Sequence, residues 1–460
     1  MGGSRRQFII GAGAATAASV AWPQAGGELT PEMFGAKGDG RTNDSRAFAA
    51  LSAQVNRRGG GTIVLRPRTY IVGEQFPGGK FAFSPSDILS FGGCRGPIVI
   101  RGNGAVLRCA PGLLFGGFDR SGKALPDSRA NVRPPNQAVP YIGMIYADGC
   151  SGSIVISDIE LDGNLAGLRP GGKYDPRGWS AGASGIALFG QRGPVRISNV
   201  HSHHHGTDGM LFMPPVDSSA STTVVDSTCD YNARQGCTIS SGRNYAFQRC
   251  RFRRSGTAVF KNAPCAGFDI EAEKGPIRDV SFSDCEFSDN VGMGVAVGGD
   301  VDAISFDRCK FIGTRHWAAW PATPGIRFTN CLFVGTINRV HGEADPARAV
   351  HFAGCTFTDD PALSPTGQVF LQNGWIAVVE DGPNVQFSDC RFRLVADGIL
   401  PRSISSVIYQ DCIMSQRSAR PSAPRGTYVG TNLISGNARL DGSIIKGIVR
   451  LNGRLVPRTS

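Results

Sequence analysis

The sequence lacks two features that would have indicated other classes of protein. Its repeated part has no window with the 3.6-residue period of an amphipathic helix, which excludes solenoids built from helices. It also has no run of Lys and Arg interleaved with aromatic residues, so no nucleic-acid partner is expected despite the net charge of +11. A basic surface of this kind suits an acidic polysaccharide.

One short phrase recurs between about Val195 and Met414. It reads apolar, polar, aromatic, two polar residues, Cys, polar, aromatic, as in Phe247…Cys250-Arg-Phe252. The cysteines of successive copies of the phrase, from Cys229 to Cys412, lie 21, 35, 24, 22, 24, 35 and 22 residues apart. This spacing is typical of a coil repeat with occasional loop insertions. The 62 Gly and 28 Pro residues suit a fold made of strands and turns.

The apolar residues alternate within each copy, so they lie on one face of a strand. The extra polar residue before Cys indicates a bend between two strands. A third strand that begins with Gly precedes most copies, as in Gly209-Met-Leu-Phe212 and Gly267-Phe-Asp-Ile270. Three short strands per turn, stacked about 4.8 Å apart, predict an all-β fold, a single-stranded right-handed parallel β-helix with like residues stacked inside.

Thirteen cysteines would allow a disulfide framework in an exported chain. Seven of them, from Cys250 to Cys412, share the same inward register of the repeat. We therefore expect a column of buried thiols that act as small apolar side chains.

Residues 1–25 have the pattern of a twin-arginine export signal. Ser4-Arg5-Arg6-Gln7-Phe8-Ile9 precedes a Gly- and Ala-rich apolar segment that is too short and too mildly apolar to anchor the chain in a membrane. Such signals export folded proteins, so the pattern predicts a periplasmic or secreted protein that folds in the reducing cytosol. Residues 26–460 are then predicted to form one β-helix domain.

A short capping helix is expected near the N-terminus. Asn43 or Asp44 can begin it, and its apolar face would consist of Ala47, Phe48, Leu51 and Val55. Such a helix would cover the first coil, whose core and strand edges are otherwise open. Residues 34–48, FGAKGDGRTNDSRAF, closely resemble the opening of the pectate-lyase-like superfamily, which includes polygalacturonases, rhamnogalacturonan hydrolases and related lyases and epimerases. The resemblance implies the β-helix fold and the cap.

Three long loops are predicted, at residues 119–140, 164–183 and 315–321. Long loops on a rigid solenoid often build binding surfaces. Their tryptophans, Trp179, Trp317 and Trp320, could stack on sugar rings or could pack the loops against the body. The sequence favours neither interpretation.

One strand stands out as a candidate site because it is acidic. Equivalent outward positions in other coils hold Ala187, Leu211, Thr238 and Ala296. The stretch 268–273 instead would present Asp269, Glu271 and Glu273 together on the outer face. Neighbouring carboxylates repel one another, which raises the pKa of at least one of them or favours a bound cation. Asp208, two coils earlier, is predicted roughly 10 Å away, within the range of an acid and a base for glycoside hydrolysis.

Resemblance to individual families adds to this hypothesis. Thr207-Asp208-Gly209-Met210 looks like the Asn-Thr-Asp-Gly-Ile strand of polygalacturonases, which implies a role for Asp208. Gln235 and Gly236 stand where that family has paired aspartates, and residues 255–259 lack its histidine, so the full acid set of polygalacturonases is not present. Gly267-Phe268-Asp269 resembles the Gly-Phe-Asp of alginate epimerases.

The histidines His203 to His205 could bind a transition metal, but consecutive strand residues point to opposite faces, which favours a hydrated turn with one histidine in the cleft. Basic groups near the acids would neutralise a uronate, and Arg243, Lys261 and Lys274 are candidates.

The sequence therefore predicts an enzyme that hydrolyses an acidic, uronate-containing, pectin-like glycan, without a cofactor and without a membrane partner. Asp269 and Glu271 would be the acid and base pair, with Asp208 as a supporting or alternative carboxylate. The residues predicted to bind substrate are His203, His205, Glu273, Arg243, Lys261, Trp179, Trp317 and Trp320. Two alternatives stay open: a lyase or epimerase assisted by Ca²⁺ held by the three carboxylates, and a non-catalytic glycan-binding solenoid.

Overall fold

The computed structural model describes residues 27–126, 134–172, 182–381 and 383–459. These residues form coils of short parallel strands stacked along one axis, with 27 strands in a long sheet and 10 in a second sheet. Each regular coil contributes one strand to the ten-stranded sheet and two to the long sheet. The prediction of an all-β parallel β-helix is confirmed.

The strands are short, and the equivalent strands of successive coils are neighbours. The strands of the ten-stranded sheet are Leu89–Gly92, Gly143–Asp148, Ser184–Phe189, Met210–Met213, Cys237–Ile239, Phe268–Glu271, Val295–Gly298, Ala319–Pro321, Ile337–His341 and Ala377–Asp381. The strands of the long sheet are Asp39–Asn43, Gly61–Val64, Thr69–Val72, Ile98–Cys109, Ile154–Asp162, Val195–His203, Thr222–Val225, Thr228–Asp230, Gly242–Gln248, Arg251–Arg253, Ile277–Ser283, Glu286–Ser288, Val301–Asp307, Lys310–Ile312, Ile326–Thr329, Leu332–Val334, His351–Ala353, Thr356–Thr358, Gln386–Ser388, Arg391–Leu394, Ile408–Gln410, Ile413–Gln416, Thr427–Val429, Thr431–Ser435, Ile444–Ile445, Ile448–Leu451 and Arg454–Val456.

A third sheet and a few helical segments lie outside the coils. The five strands of the third sheet are Gln75–Pro77, Phe83–Pro85, Leu114–Gly117, Gln137–Ala138 and Arg169–Gly171. The helical segments are the α-helix Ser45–Arg58 and the 3-10 turns Pro31–Phe34, Leu165–Gly167 and Pro361–Leu363. No helix in the described part of the chain has the length and apolar character that crossing a bilayer requires.

The bend between the two strands of the long sheet lies at the residue before each repeated cysteine. That residue has a left-handed backbone, with φ between 51° and 63°, at Arg249, Asp284, Arg308, Asn330, Gly354, Asp389 and Asp411. Asn, Asp and Gly adopt this conformation at the least cost, and they fill five of these seven positions. The polar residue that the repeat places before Cys therefore sets the corner of each coil.

The core consists of aromatic rings stacked in two columns along the axis. In the first column neighbouring ring centroids are 4.6 to 5.3 Å apart and the planes lie within 21° of parallel; its members are Phe247, Phe282, Phe306, Phe328, Phe352, Phe387, Tyr409 and Tyr428. The second column, with spacings of 4.6 to 5.5 Å, contains Phe252, Phe287, Phe311, Phe333, Phe357 and Phe392. Rings of the two columns meet edge to face, a favourable aromatic geometry.

All thirteen cysteines are free and buried, which confirms the prediction made for the seven in the repeat. In the repeat, six of the seven thiols donate to a carbonyl of the preceding coil: Cys285 Sγ lies 3.5 Å from Phe247 O, and Cys412 Sγ lies 3.3 Å from Phe387 O. Cysteine at the corner thus fills a small apolar space and satisfies a buried acceptor.

The predicted capping helix is present as Ser45–Arg58, with Asp44 at the N-cap and Phe48, Leu51 and Val55 fully buried. Its side chains also bond the edge strand Leu89–Gly92. Ser52 Oγ donates to Ile88 O and accepts from Ser90 N, while Asn56 donates to Ser90 O and accepts from Gly92 N. The helix therefore supplies the hydrogen bonds that a further strand would have made.

Replacing Phe328 by Ala should lower the free energy of unfolding by about 3 to 5 kcal/mol. Its ring stacks at 4.9 Å on both Phe306 and Phe352, and these rings cannot move together to fill the cavity that the substitution would leave. Phe76, which is 53% exposed, is the control. Its replacement by Ala should change stability by less than about 0.5 kcal/mol. Urea unfolding followed by circular dichroism measures both. Equal losses for the two variants would contradict the role of the column.

Candidate active site

The outer face of the ten-stranded sheet carries aligned columns of side chains. One column runs Ala187, Leu211, Thr238, Asp269, Ala296 and Trp320, each residue in register with the next. The predicted alignment of the first five is confirmed. One coil lies between Asp208 and the strand of Asp269, which corresponds to roughly 10 Å along the axis. Asp269 is therefore the charged member of a column that is otherwise small or apolar.

Asp208 is fully buried in the turn that leads into the strand Met210–Met213. Its Oδ2 accepts from Thr238 Oγ1 at 3.1 Å and lies 3.6 Å from Arg234 Nη1. Its Oδ1 is buried without a hydrogen-bond partner among the described residues. Burial raises the pKa of Asp208, and the Arg234 guanidinium opposes that rise. The unpaired buried oxygen makes Asp208 a destabilising group that the surrounding structure holds in place.

Asp269 is 4% exposed and accepts a hydrogen bond of 2.6 Å at Oδ2 from Gln235 Nε2. Gln235 is itself fixed, since its Oε1 accepts from Ala266 N at 2.8 Å. Burial, followed by the charge of Glu271, raises the pKa of Asp269 to about 7, while Arg234 acts in the opposite direction. A carboxyl with this pKa retains a proton near neutral pH and can donate it.

Arg234 is the cation around which the acids lie. Asp208, Asp269, Glu273 and Glu271 all stabilise its charge and raise its pKa. We call these five residues the acidic cluster. Four carboxylates around one guanidinium leave excess negative charge, so the protonation of one carboxyl relieves repulsion. Asp269, the more buried of the two acids on its strand, is the natural holder of that proton.

Glu271 is exposed on the same face as Asp269, two residues along the strand. Burial of part of the side chain and the charge of Glu273 raise its pKa. The alternation predicted Glu273 on this strand, and that prediction is wrong. The strand ends at Glu271, and Glu273 N donates to Glu271 O at 2.7 Å, which turns the chain. The turn nevertheless leaves Glu273 beside Asp208 and Arg234.

A cavity of about 460 Å³ opens next to the acidic cluster. Asp208, Arg234 and Glu273 line it, whereas Asp269 and Glu271 are not among its lining residues. One wall consists of outward residues of the ten-stranded sheet and its turns, including Thr207, Asp208 and Thr238. The facing wall comes from the third sheet and its loops, including Phe81 and Gln137, with Pro134 and Gly182 from two of the predicted loops. The charged lining residues are Lys80, Arg234, Lys274, Asp208 and Glu273, three cations and two acids.

Two of the predicted tryptophans lie further along the coil axis, in the C-terminal direction from the acidic cluster. Trp317 and Trp320, with ring centroids 5.7 Å apart, pack against a small apolar group of Ala266, Met293 and Ala296. Trp320 was predicted in a loop but lies in the strand Ala319–Pro321, two coils from Asp269. Its indole also contacts the Arg339 guanidinium at 5.6 Å. Trp179 lies outside the described residues.

The structure does not place His203 and His205, the two histidines predicted to bind substrate, in the cavity. His205 is fully buried inside the coil, where its Nδ1 lies 3.0 Å from Tyr141 Oη, and burial lowers its pKa to about 3. His203 projects from the long sheet at a corner of the coil and does not line the cavity.

Two predicted cations lie elsewhere as well. Arg243 is exposed on the strand Gly242–Gln248 of the long sheet, 3.9 Å from Asp279. Lys261 is exposed in the loop before the strand Phe268–Glu271 and does not line the cavity. Arg234 takes the place expected of them. The sequence contained a signal for it, because Arg234-Gln235-Gly236 occupies the same position in its coil as Thr207-Asp208-Gly209 does one coil earlier.

The carboxylates of the acidic cluster do not gather as ligands for one ion. Among the described residues, the groups of three ligand atoms within 4.8 Å of one another are Glu160, His201 and His203, and Asp162, His203 and His204. Asp269, Glu271 and Glu273 form no such group. The spacing of these three acids gives no support to the Ca²⁺ site of the lyase alternative.

The raised pKa of Asp269 should appear in the stability of the protein. Between about pH 4 and pH 7 the unfolded chain loses this proton while the folded chain keeps it, so the folded state loses stability as pH rises through that interval. Asp269→Asn removes the effect and should stabilise the protein at pH 8 by on the order of 2–4 kcal/mol. Urea unfolding at pH 4, 6 and 8 measures this, with the exposed Asp279→Asn as control. Parallel pH profiles for the wild type and Asp269→Asn would contradict the assignment.

Comparison with known proteins agrees with this architecture. A family model described as "Right handed beta helix region" matches residues 144–333. A capsule KN3-specific depolymerase of Klebsiella phage KN3-1 is 22% identical in an alignment of 333 residues, which covers 66% of this chain and 36% of the depolymerase. The chain thus spans about a third of the length of that relative.

One solved structure superposes closely enough to show a shared fold, and a second is less similar. The N-terminal fragment of gene product 12 of bacteriophage Phi29 superposes with a TM-score of 0.53 at 13% identity, over 93% of this chain and 73% of that chain. The A-module of the Azotobacter vinelandii mannuronan C-5 epimerase AlgE4 has a TM-score of 0.49 at 14% identity, over 91% of this chain and 99% of that chain. The coil architecture and the family match over residues 144–333 together show that the chain has the right-handed parallel β-helix fold.

Proposed function

We propose that the chain is an enzyme that hydrolyses glycosidic bonds of an acidic polysaccharide at the acidic cluster. The observation that carries this proposal is Asp269, a buried carboxyl with a pKa of about 7 beside an exposed carboxylate on the same strand face. Glycosidases use such a pair, one acid to protonate the leaving oxygen and one carboxylate to act on the other side of the bond.

Asp269 is the proposed general acid. Gln235 occupies Oδ2, and Oδ1 has no hydrogen-bond donor among the described residues, so Oδ1 is the atom that would meet the glycosidic oxygen. Glu271 is the proposed base. It is exposed to solvent on the same strand face, two residues along from Asp269.

The proposed substrate is an acidic sugar, whose carboxylate would pair with cations of the cavity. Lys80 and Lys274 line the cavity beside Arg234, and a guanidinium can hold a uronate carboxylate through two parallel hydrogen bonds. The two tryptophans, two coils further along, would extend the binding surface by stacking on sugar rings.

The phage relative supports a polysaccharide substrate, because it is named a capsule-specific depolymerase and two thirds of this chain align with it. We further propose that the protein acts in the periplasm or outside the cell. The twin-arginine pattern in residues 1–25, which lie outside the described residues, carries that part of the proposal.

Elimination or epimerisation at the same site is the second candidate. Lys274 lines the cavity with Arg234, so one could take the C5 proton of a uronate while the other neutralises its carboxylate. The chemistry separates the two candidates. Elimination creates an unsaturated sugar that absorbs in the ultraviolet, whereas hydrolysis creates reducing ends alone.

Asp269→Asn and Glu271→Gln should each lower turnover of a uronate polymer by about 10²- to 10⁴-fold, because each removes one proton transfer. Reducing-end assays on a panel of uronate and neutral polymers measure the loss, with Asp279→Asn, on the other sheet, as matched control. Full turnover in both variants would exclude the assigned pair. Ultraviolet absorbance in place of simple hydrolysis would favour the second candidate, and retention of the polymer without turnover would indicate a binding protein.

Arg234→Gln should move the alkaline limb of the kcat/KM profile to higher pH. Arg234 opposes the rise in the pKa of Asp269, so its removal lets Asp269 keep its proton to a higher pH. Arg243→Gln, on the other sheet, should leave the limb in place. A limb that moves to lower pH, or that moves equally in both variants, would contradict the electrostatic coupling.

A further inference from the structure

A corner of the long sheet gathers imidazole and carboxylate groups that the proposed hydrolysis does not use. The strand Val195–His203 pairs with Ile154–Asp162, which places His201 opposite Glu160 and His203 opposite Asp162. Because side chains alternate along a strand, these four lie on one outer face. His204 follows directly at the turn.

The His203 ring is held through both nitrogens. Its Nε2 lies 3.3 Å from Glu160 Oε1, and a proton on Nε2 would be donated to that carboxylate. This arrangement leaves the lone pair on Nδ1, which lies 2.7 Å from His204 Nδ1 and 3.8 Å from Asp162 Oδ1. Two imidazole nitrogens and one carboxylate oxygen therefore face a common point.

Neighbouring groups fix the other two side chains. Asp162 Oδ2 accepts from Arg108 Nε at 2.7 Å, and its Oδ1 accepts from Asn164 N at 2.8 Å. The His204 ring stacks on Tyr231 at 5.0 Å with planes 12° apart, and its backbone is left-handed at φ 55°. Outer partners of this kind orient the ligands of metal sites.

We propose that Asp162, His203 and His204 bind a divalent transition-metal ion such as Zn²⁺. Two histidines and one carboxylate are a ligand set that Zn²⁺ favours, with a fourth position left to water. Bonds of about 2.0–2.1 Å in a tetrahedron place the two nitrogens about 3.3 Å apart, so the rings separate by roughly half an ångström. The His204 Nδ1 proton leaves to solvent as its lone pair binds the ion.

The neighbouring triad of Glu160, His201 and His203 is the competing geometry. It requires the Nε2 lone pair of His203, but that nitrogen faces the Glu160 carboxylate. His201 Nε2 is already 2.8 Å from Asp230 Oδ1. Glu160 is therefore an orienting residue for His203, as carboxylates commonly are for metal-bound histidines.

The ion would link two adjacent coils, because Asp162 belongs to one coil and the histidines to the next. Gly163 N already donates to His203 O at 2.9 Å, so the two turns are in contact before any ion binds. An ion that binds the folded state alone stabilises it, and the melting temperature should rise with Zn²⁺ concentration.

Titration of the full, chelator-treated chain with Zn²⁺ in a calorimeter tests the site. We expect one ion per chain with release of a proton, and Co²⁺ in its place should give the intense visible absorption of tetrahedral coordination. His204→Asn, which tolerates the left-handed backbone, and Glu160→Gln should each weaken binding by about 10- to 100-fold. His351→Asn, on the same sheet but far along the axis, is the control and should bind as the wild type does.

Circular dichroism on each variant shows that it is folded, and no glycan is present, so the result does not depend on the proposed hydrolysis. An absence of Zn²⁺ binding by the wild type overturns the proposal. Wild-type affinity for Zn²⁺ in His204→Asn overturns it as well. If His201→Asn loses Zn²⁺ binding while His204→Asn keeps it, the ion belongs to the competing triad.

Discussion

Each coil of this protein must repeat the backbone path of the coil before it, one strand spacing further along the axis. This constraint forces equivalent side chains to lie directly over one another, inside and outside. Inside, the constraint is met with identical or similar groups, which is why phenylalanine rings stack within 21° of parallel over eight positions that end in two tyrosines. Outside, the same constraint aligns side chains that are far apart in the sequence.

The acidic cluster follows from that alignment. Asp208, Arg234 and Asp269 come from three successive coils and would be unrelated in any other fold. Their arrangement opposes stability, since Asp269 is buried with a raised pKa and one oxygen of Asp208 has no hydrogen-bond partner in the described parts of the chain. A rigid framework can hold such a group of like charges because the aromatic columns stabilise the coils independently of it.

The sequence predicted the framework well because each copy of the sequence repeat corresponds to one coil. It also placed Asp269 on the outer face, since alternation within a strand needs no tertiary information. It failed where the chain leaves the strand. Glu273 lies past a turn that alternation does not reveal, Arg234 lies in a turn before its strand, and Trp320 lies in a strand where a loop was expected. His205 points inward because it stands at a corner, where the direction of a side chain depends on backbone dihedrals rather than on periodicity.

The helix Ser45–Arg58 bonds Leu89–Gly92, the edge strand of the ten-stranded sheet, with Ser52 and Asn56. In the long sheet, Arg454–Val456 pairs antiparallel with Ile448–Leu451. A stack of in-register parallel strands resembles a segment of a fibril, and a bare edge could serve as a template for another molecule. At the first edge side chains occupy backbone groups, and at the second the strand direction is reversed, so each edge is unsuited to the addition of a further parallel strand.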